Sequence, residues 1–411
     1  MSAARADPID IMKHPAIPPF LSPLPFVLPL LSVATAVAQD AAKPTWSPAQ
    51  QKGCDFLTTQ QKDGVFSVNM GRRAFPDPGF TSLAIAALQS KPAALRSESE
   101  RAVIDKGLTW VLENQNDDGS FGKNVPNYTT CAAVMALSRW DSDKAKAALA
   151  KAQRYVLAIQ NCEKTGSSPS DVEYGGVGYG GKGERSDLSN MQFAMDALRR
   201  TGLPADHEAF TRALVFLQRT QNLTSVNDLS GKLEVKNEKG EPAKLAVGDD
   251  GGAVYYPGES PAGVVQHPDG TCTPRSYGSM TYALLKTYTL CGVKPDDARV
   301  QAAVRWISGH WTVAENPGAD PKLGDEARYQ GLFYYYMLLA QALDAVQLER
   351  VVTTGAGAAK AEVDWRKELR RQVESMQRDD GSWLNERNKR WYENLDILCT
   401  CYALLALEHC G

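Results

Sequence analysis

Two kinds of helical pattern alternate along the chain and predict two layers of helices. In one kind, small and apolar residues occupy nearly every face, which is typical of a helix buried on all sides. Six stretches have this pattern: 81–89, 128–139, 188–200, 277–290, 329–345 and 395–409. In the other kind charged residues occupy one face, most clearly in 97–114, 142–159 and 364–377. The sequence therefore predicts an all-α fold with an inner and an outer helix layer.

A short motif lies between each outer helix and the inner helix that follows it. Its clearest copies place a glutamine, a glycine and an aromatic residue in order: Gln61, Gly64 and Phe66; Gln115, Gly119 and Phe121; Gln377, Gly381 and Trp383. The glycine is followed through six copies, at Gly64, Gly119, Gly176, Gly252, Gly318 and Gly381. We expect the glycine to form a turn with positive φ and the glutamine to bond to backbone at a helix end. Six repeated helical pairs are expected to close into an α/α toroid.

The motif resembles the QW repeat of squalene-hopene cyclases and of the β subunits of protein prenyltransferases. The resemblance covers the chain from about Trp46 to Gly411. It implies a toroid of six inner and six outer helices with an apolar central cavity. It also implies kinship with a superfamily that mostly handles isoprenoids. The resemblance is specific for the fold and much less specific for a reaction.

The reaction motifs that the resemblance implies are incomplete. A squalene-type cyclase protonates an alkene with an aspartic acid in an Asp-x-Asp-Asp motif. The best match, 187–190, reads Asp-Leu-Ser-Asn, so that Ser189 stands where the acid belongs and Asp187 has the sequence context of an N-terminal cap. The phrase Cys399-Thr400-Cys401-Tyr402 resembles the His-Thr-Cys-Tyr of zinc prenyltransferases, but the other two ligands are missing. We therefore predict no metal and no cofactor.

The remaining candidate site residues are polar groups and inner-helix aromatics. The candidates for catalysis are Asp187, Asp249, Asp250 and Asp396. The candidates for ligand binding are Arg275, Tyr277, Tyr282, Tyr334, Tyr335 and Tyr402. Aromatic walls stabilise cations and also bind neutral lipids or sugars. A loop insertion at about 222–275 is either a functional loop or a β-hairpin flap.

The N-terminus predicts a targeting segment. Residues 1–38 have an apolar, proline-rich core that ends in a small-x-small sequence before Gln39, and Met12 is an alternative start. We expect cleavage near Ala38, export to the periplasm or the extracellular space, and a single toroid domain over 39–411. No transmembrane segment is predicted in the mature chain. One or two disulfides among the eight cysteines are compatible with that compartment.

Charge and motifs together limit the function. The net charge of −3 gives no basic excess for a nucleic-acid partner. The favoured hypothesis is an exported terpenoid cyclase-like or prenyltransferase-like repeat protein that binds an isoprenoid or other apolar ligand. One alternative is a non-catalytic scaffold for protein or cell-envelope partners. The other is a carbohydrate-active (α/α)6 enzyme, with Asp249, Asp250 and Arg275 at its rim.

Overall fold

The computed structural model describes residues 46–69, 74–181, 183–354 and 360–411, which form one compact unit. The predicted signal segment 1–38 and its cleavage site near Ala38 lie outside the described residues. Within them, no helix has the length and apolar character needed to cross a membrane.

The inner layer consists of six helices that form a closed ring. They are α2 (Pro78–Gln89), α4 (Pro126–Leu137), α6 (Leu188–Arg200), α8 (Gly278–Leu290), α10 (Leu332–Ala345) and α12 (Asp396–Leu407). Each packs against the next in sequence, and α12 packs against α2. In α2 every residue from Thr81 to Gln89 is buried, because both neighbours in the ring and an outer helix cover it. The predicted α/α toroid is confirmed.

The outer layer consists of six amphipathic helices that run antiparallel to the inner ones. They are α1 (Pro48–Thr59), α3 (Glu98–Glu113), α5 (Asp143–Ile159), α7 (Glu208–Thr220), α9 (Ala298–Gly309) and α11 (Trp365–Ser375). Ser47 and Ser97 begin α1 and α3 with capping boxes that satisfy backbone N–H groups. In α5, Ala145, Ala148 and Ala152 lie on the buried face at helical spacing.

The lengths of the connections differ between the two ends of the toroid. Four connections from an inner to an outer helix, at 90–97, 138–142, 201–207 and 291–297, have only five to eight residues. The connections from an outer to an inner helix have 12 to 57 residues, from 114–125 to 221–277. The long connections therefore lie at the end where the inner helices begin. We call this end the mouth.

The predicted insertion at 222–275 folds as loop with two short antiparallel hairpins. Strand β4 (Glu234–Lys236) pairs with β5 (Pro242–Lys244), and β6 (Val264–Gln266) pairs with β7 (Cys272–Pro274). The insertion therefore contains the hairpins of the flap alternative, and its residues Tyr255, Pro261 and Ala262 also line the cavity described below. Strands β1 (Gln61–Lys62), β2 (Val65–Asn69) and β3 (Ala74–Pro76) form a small sheet after α1, and β8 (Val351–Thr353) pairs with β9 (Ala361–Val363) before α11.

In five of the six copies a glycine allows the turn to touch the next outer helix, whereas Gly318 in the fifth copy touches the backbone at Ser276 and Tyr277. Gly119 has φ +92°, and a Cβ atom there would lie 2.4 Å from the carbonyl oxygen of Lys151 in α5. In the third and fourth copies the prediction is wrong by one residue. There the glycines with positive φ are Gly175 and Gly251, at +82° each, rather than Gly176 and Gly252. The later glycine of each pair is instead required for close packing, since a Cβ on Gly252 would meet Trp306 at 2.7 Å.

The repeat glutamine joins its own turn to the next outer helix. Gln221 Nε2 donates to the carbonyl oxygens of Gly251 and Arg299, at 2.9 Å each. The glutamines that make the equivalent pair of bonds are Gln115, Gln160 and Gln377. One acceptor of each pair is the carbonyl oxygen of the turn glycine. The other lies in the first two turns of the next outer helix, at Ala148, Ala209, Arg299 or Ala49. The glutamine therefore links two repeats rather than capping the helix that precedes it. Gln61 differs, because its Nε2 donates to the carbonyl oxygen of Thr58 in the last turn of α1 and its Oε1 accepts from the Gly64 N–H.

All eight cysteines are buried and unpaired. The structure therefore contains none of the disulfides that the sequence allowed. The cysteines of the inner layer, Cys131, Cys291, Cys399 and Cys401, are small buried side chains within helical packing, as predicted.

Candidate ligand-binding cavity

A cavity of about 570 Å³ occupies the half of the ring that lies towards the mouth. Every inner helix contributes to its wall from its first turns, with Leu83, Ala132, Phe193, Met280, Tyr334 and Leu398. Exposed apolar side chains surround the opening: Phe75, Val125, Tyr179, Trp391 and Tyr392. The volume lies within the usual range of small-molecule sites.

Aromatic rings form a continuous band along one side of this cavity. Tyr402 lies 5.7 Å from Tyr334, and Tyr334 stacks on Phe193 at 6.2 Å between ring centroids. Phe193 meets Tyr128 edge to face at 5.4 Å, and Tyr128 meets Tyr179 in the same way at 5.8 Å. Such a band presents π faces and edges to an apolar or unsaturated ligand.

The mouth is partly covered by two aromatic residues in an unusual backbone conformation. Trp391 and Tyr392 have φ of +63° and +62°, a region that side-chain-bearing residues rarely occupy. Their side chains are 46% and 57% exposed, and the Trp391 ring stacks on Tyr255 at 6.4 Å. Strain of this kind persists where the surroundings enforce it, and it concentrates at functional sites.

The cavity wall carries a cluster of three hydroxyl groups near the starts of α4, α6 and α10. The Tyr128 hydroxyl donates to Ser189 Oγ at 2.8 Å, and the Tyr334 hydroxyl lies 2.7 Å from the same oxygen. Gln192 Nε2 donates to the Tyr334 hydroxyl at 3.2 Å. Ser189 thus stands at the position where the resemblance implies an acid, and in its place the chain holds a serine bound by two tyrosines.

A buried charged network fills the centre of the ring two to three helical turns from the mouth. Lys286 Nζ donates to Gln192 Oε1 at 3.1 Å and to Gln341 Oε1 at 2.8 Å. It also lies 3.8 Å from Asp196, whose carboxylate accepts from Arg200 Nε at 2.8 Å. Burial lowers the pKa of Lys286, and the two cations outweigh burial to lower the pKa of Asp196. The apolar cavity therefore ends halfway through the ring.

Asp187 lies behind the cavity wall rather than on it. Its carboxylate caps α6, where it accepts from the Asn190 backbone N–H and from Asn190 Nδ2, at 2.8 Å each. It also shares a hydrogen bond with the hydroxyl of Tyr255, which does line the cavity. Burial raises the pKa of Asp187. Asp187 therefore has the capping role that the sequence suggested. Its neighbour Tyr255 lines the cavity, whereas Asp187 itself does not.

The other predicted catalytic aspartates lie away from the cavity. Asp249 Oδ1 accepts from the backbone N–H of Thr224 at 3.0 Å. Asp250 Oδ1 accepts from the Gly252 N–H at 2.9 Å, which makes it a turn former of the repeat. Asp396 Oδ1 accepts from the N–H of the residue that follows it, in the first turn of α12. None of the three is among the cavity-lining residues that the structure describes.

The predicted ligand-binding residues divide into two groups. Tyr277, Tyr334 and Tyr402 line the cavity. Tyr282 and Tyr335 instead pack edge to face at 5.6 Å between α8 and α10. Arg275 Nε bonds to Asp320 Oδ2 at 3.2 Å, outside the cavity lining.

Several cavity-lining residues were not among the predicted site residues. Ser189 and Phe193 are four residues apart, so they share a helix face, and the match at 187–190 could have pointed to Phe193. Tyr128 was noted only as the first residue of an inner helix. Tyr179 and Trp391 come from connections, where no periodicity indicates which side chains reach the cavity.

The cysteine pair on α12 does not form a metal site with its neighbours. Cys399 and Cys401 are fully buried, and the Cys399 thiol donates to the Glu393 carbonyl oxygen at 3.2 Å. Burial raises the pKa of both thiols, which opposes the thiolate form that metals bind. Among the described residues, no three His, Cys, Asp or Glu side chains are grouped as a metal would require.

A known family model matches part of the chain. Residues 86–231 match the family described as the squalene-hopene cyclase C-terminal domain. The predicted resemblance is confirmed. No curated protein gives a significant match to the sequence.

Solved structures share the architecture at low sequence identity. The GH76A α-1,6-mannanase of Salegentibacter sp. HEL1_6 is 10% identical, with 88% of this chain and 97% of that chain covered and a TM-score of 0.50. The type II terpene cyclase MstE from Scytonema, in a variant in complex with merosterolic acid A, is 13% identical, with 88% and 95% covered and a TM-score of 0.45. A protein from Actinoplanes is 15% identical, with 88% and 98% covered and a TM-score of 0.43. At these identities the mannanase likeness supports the toroid fold and nothing about activity.

Proposed function

We propose that the protein binds an isoprenoid or a similarly apolar molecule in the cavity at the mouth of the toroid. The observation that carries the proposal is the partly covered cavity of about 570 Å³ with an aromatic band along its wall. A wall of apolar and aromatic side chains with a few polar groups is the usual composition of a small-molecule site. The match to a family named for squalene and hopene supports an isoprenoid as the ligand class.

The polar groups of the cavity favour binding over the proton-initiated chemistry of a cyclase. Protonation of an alkene needs a strong acid that faces the ligand. Asp77 is the one carboxylate among the described lining residues, and it caps α2 by accepting from the Phe80 N–H at 2.9 Å. Ser189 stands where the acid of the cyclase motif would be, and a hydroxyl group cannot protonate an alkene.

The two other functions considered from the sequence receive less support. A glycosidase needs carboxylates that flank the substrate. Asp249 and Asp250 instead serve loop and turn structure away from the cavity. A purely structural scaffold leaves the cavity and its aromatic band without a role.

Direct binding measurements test the proposal. Delipidated protein is incubated with geranylgeraniol or with α-1,6-mannotriose, and complexes are counted by native mass spectrometry. We expect geranylgeraniol to bind with one molecule per chain and the sugar not to bind. The proposal is wrong if no isoprenoid binds or if the sugar binds in its place.

A matched pair of variants locates the site. Ala132→Phe on α4 adds a ring inside the cavity, whereas Ala147→Phe adds the same ring to the exposed face of α5. Because the first ring occupies the ligand's space, we expect the affinity for geranylgeraniol to fall at least about tenfold in Ala132→Phe and to be unchanged in Ala147→Phe. Equal affinities in the two variants would place the ligand elsewhere.

A further inference from the structure

The cluster of three hydroxyl groups on the cavity wall has one proton more than its internal hydrogen bonds use. Tyr128, Ser189 and Tyr334 together carry three O–H groups, because each hydroxyl has one proton to donate. Only two bonds join them, from Tyr128 to Ser189 and between Ser189 and Tyr334. No other hydroxyl donation from these three residues is found in the described part of the chain. One O–H group is therefore left to donate to whatever occupies the cavity.

The buried network around Lys286 fixes one of these hydrogen bonds. A lysine ammonium group only donates, so Lys286 orients Gln192 with Oε1 towards itself and Nε2 towards Tyr334. Nε2 then donates to the Tyr334 oxygen, and Ser189 Oγ accepts from Tyr128. The bond between Ser189 and Tyr334 can run in either direction, and it uses the proton of one of the two partners. The proton that remains is therefore on Ser189 or on Tyr334, and both residues line the cavity.

We propose that the paired Ser189 and Tyr334 hydroxyl groups, supported by Tyr128, are a donor site for an oxygen atom at one end of the ligand. The ligand class is then an oxygenated isoprenoid, such as an alcohol, a ketone or an epoxide, and not a pure hydrocarbon. Its oxygen lies at this pair of hydroxyl groups and its chain extends along the aromatic band. This inference rests on the proposed function, since it names the ligand of the same cavity.

A matched pair of ligands tests the donor site. Phytol and phytane share a carbon skeleton, and only phytol carries a hydroxyl group. The hydroxyl-free variant Tyr128→Phe/Ser189→Ala/Tyr334→Phe removes the whole cluster, and Tyr174→Phe removes one hydroxyl outside the cavity lining, where it donates to Glu163. Because it loses the donor, we expect the triple variant to lower the phytol-to-phytane affinity ratio about tenfold, and Tyr174→Phe to leave that ratio unchanged.

A spectroscopic measurement on the unmodified protein gives a second test that does not depend on the variants folding. The ketone geranylacetone is bound, and its C=O stretching frequency is compared with the value in an alkane solvent. A hydroxyl group that donates to the ketone oxygen lowers the C=O stretching frequency, whereas an unshifted C=O band overturns the inference. If phytol and phytane bind with a ratio that the triple variant does not alter, the donor site is wrong and the proposed function stands. If neither ligand binds, the proposed function itself fails.

Discussion

A single buried carboxyl group holds the aromatic cover of the mouth. Glu393 is fully buried at the start of α10, where Oε1 accepts from the Tyr334 N–H at 2.9 Å and Oε2 accepts from Asn385 Nδ2 at 2.7 Å. It directly follows Trp391 and Tyr392, so its position fixes the segment that covers the cavity. Burial raises the pKa of Glu393 to about 7, and these hydrogen bonds only partly oppose the effect.

The raised pKa of Glu393 predicts a stability that falls with pH. The folded protein retains this proton up to pH of about 7, whereas the unfolded chain releases it near 4.5. The contribution is therefore fully present below pH 4.5 and is lost as the pH rises through 7. We expect the free energy of unfolding, measured with urea from pH 4.5 to 8, to contain a loss of roughly 3 kcal/mol that is missing in Glu393→Gln.

The hydrogen-bond partners of Glu393 add no titration of their own. The groups found to act on its pKa are the backbone N–H groups of α10 and Asn385, none of which titrates. The nearby Cys399 thiol titrates far above this range, because burial raises its pKa. Glu386→Gln changes an exposed carboxyl of the same segment and should retain the wild-type profile. A profile for Glu393→Gln that parallels the wild type would contradict the prediction.

At the scale of the repeat, the turn glycine is the element that joins neighbouring pairs. In the last copy, Gly381 has φ +87°, and a Cβ atom would lie 2.5 Å from the carbonyl oxygen of Lys52 in α1. This contact connects the final repeat to the first one. Gly202 has a similar φ of +79°, but a Cβ atom there would meet nothing within 4 Å.

These two glycines separate backbone strain from the cost of a lost contact. Gly202→Ala introduces strain alone, and we expect it to lower the free energy of unfolding by about 1 kcal/mol. Gly381→Ala adds a clash with a helix backbone that cannot move without opening the ring, so we expect a further loss of about 2 kcal/mol or more. Urea unfolding followed by far-ultraviolet circular dichroism measures both. Similar losses for the two variants would show that the contact with α1 is not tight.

The same elements show how far the sequence determined the fold. The inner helices were predictable because burial on all sides leaves an apolar stretch that periodicity detects. The start of α10 was predicted at residue 329, but the helix begins at Leu332, because Gly331 adopts φ +61° after a separate short turn at 325–329. The start of α2 was predicted at residue 81, although Asp77 and Pro78 carry the signals of a cap and a first helical residue.

The site was less predictable because it depends on the rotation of each helix. Tyr334 and Tyr335 are adjacent in α10, yet one lines the cavity and the other packs against α8. Consecutive side chains differ by about 100° around a helix axis, so composition alone could not choose between them. The choice follows from the closure of the ring, which no local pattern encodes.

The described part of the molecule is a ring of repeats that begins and ends at an inner-to-outer connection. Outer helix α1 packs on both α12 and α2, as α3, α5, α7 and α11 also pack on two inner neighbours. Residues 408–411 and 46–47 together supply six residues between α12 and α1, within the five to eight found in the short connections at the same end. The helices α12 and α1 are therefore arranged like other neighbouring helices of the ring.

This symmetry predicts that a circular permutant folds. The described chain ends are joined by a Gly/Ser linker of about ten residues, and new ends are placed at Lys239 in the exposed turn of the β4–β5 hairpin. We expect helical content and phytol affinity close to those of the linear protein, because every contact of the ring is retained and closure of so short a loop costs little.

A second permutant with the same linker is cut between Asp379 and Asp380, which separates Gln377 from Gly381 and interrupts the turn that contacts α1. It should lose stability or fail to fold. If the first permutant also fails, the contact of α1 with α12 requires the native chain ends, and the ring is not a set of equivalent repeats. If both fold equally well, the glutamine–glycine turn does not hold the ring closed.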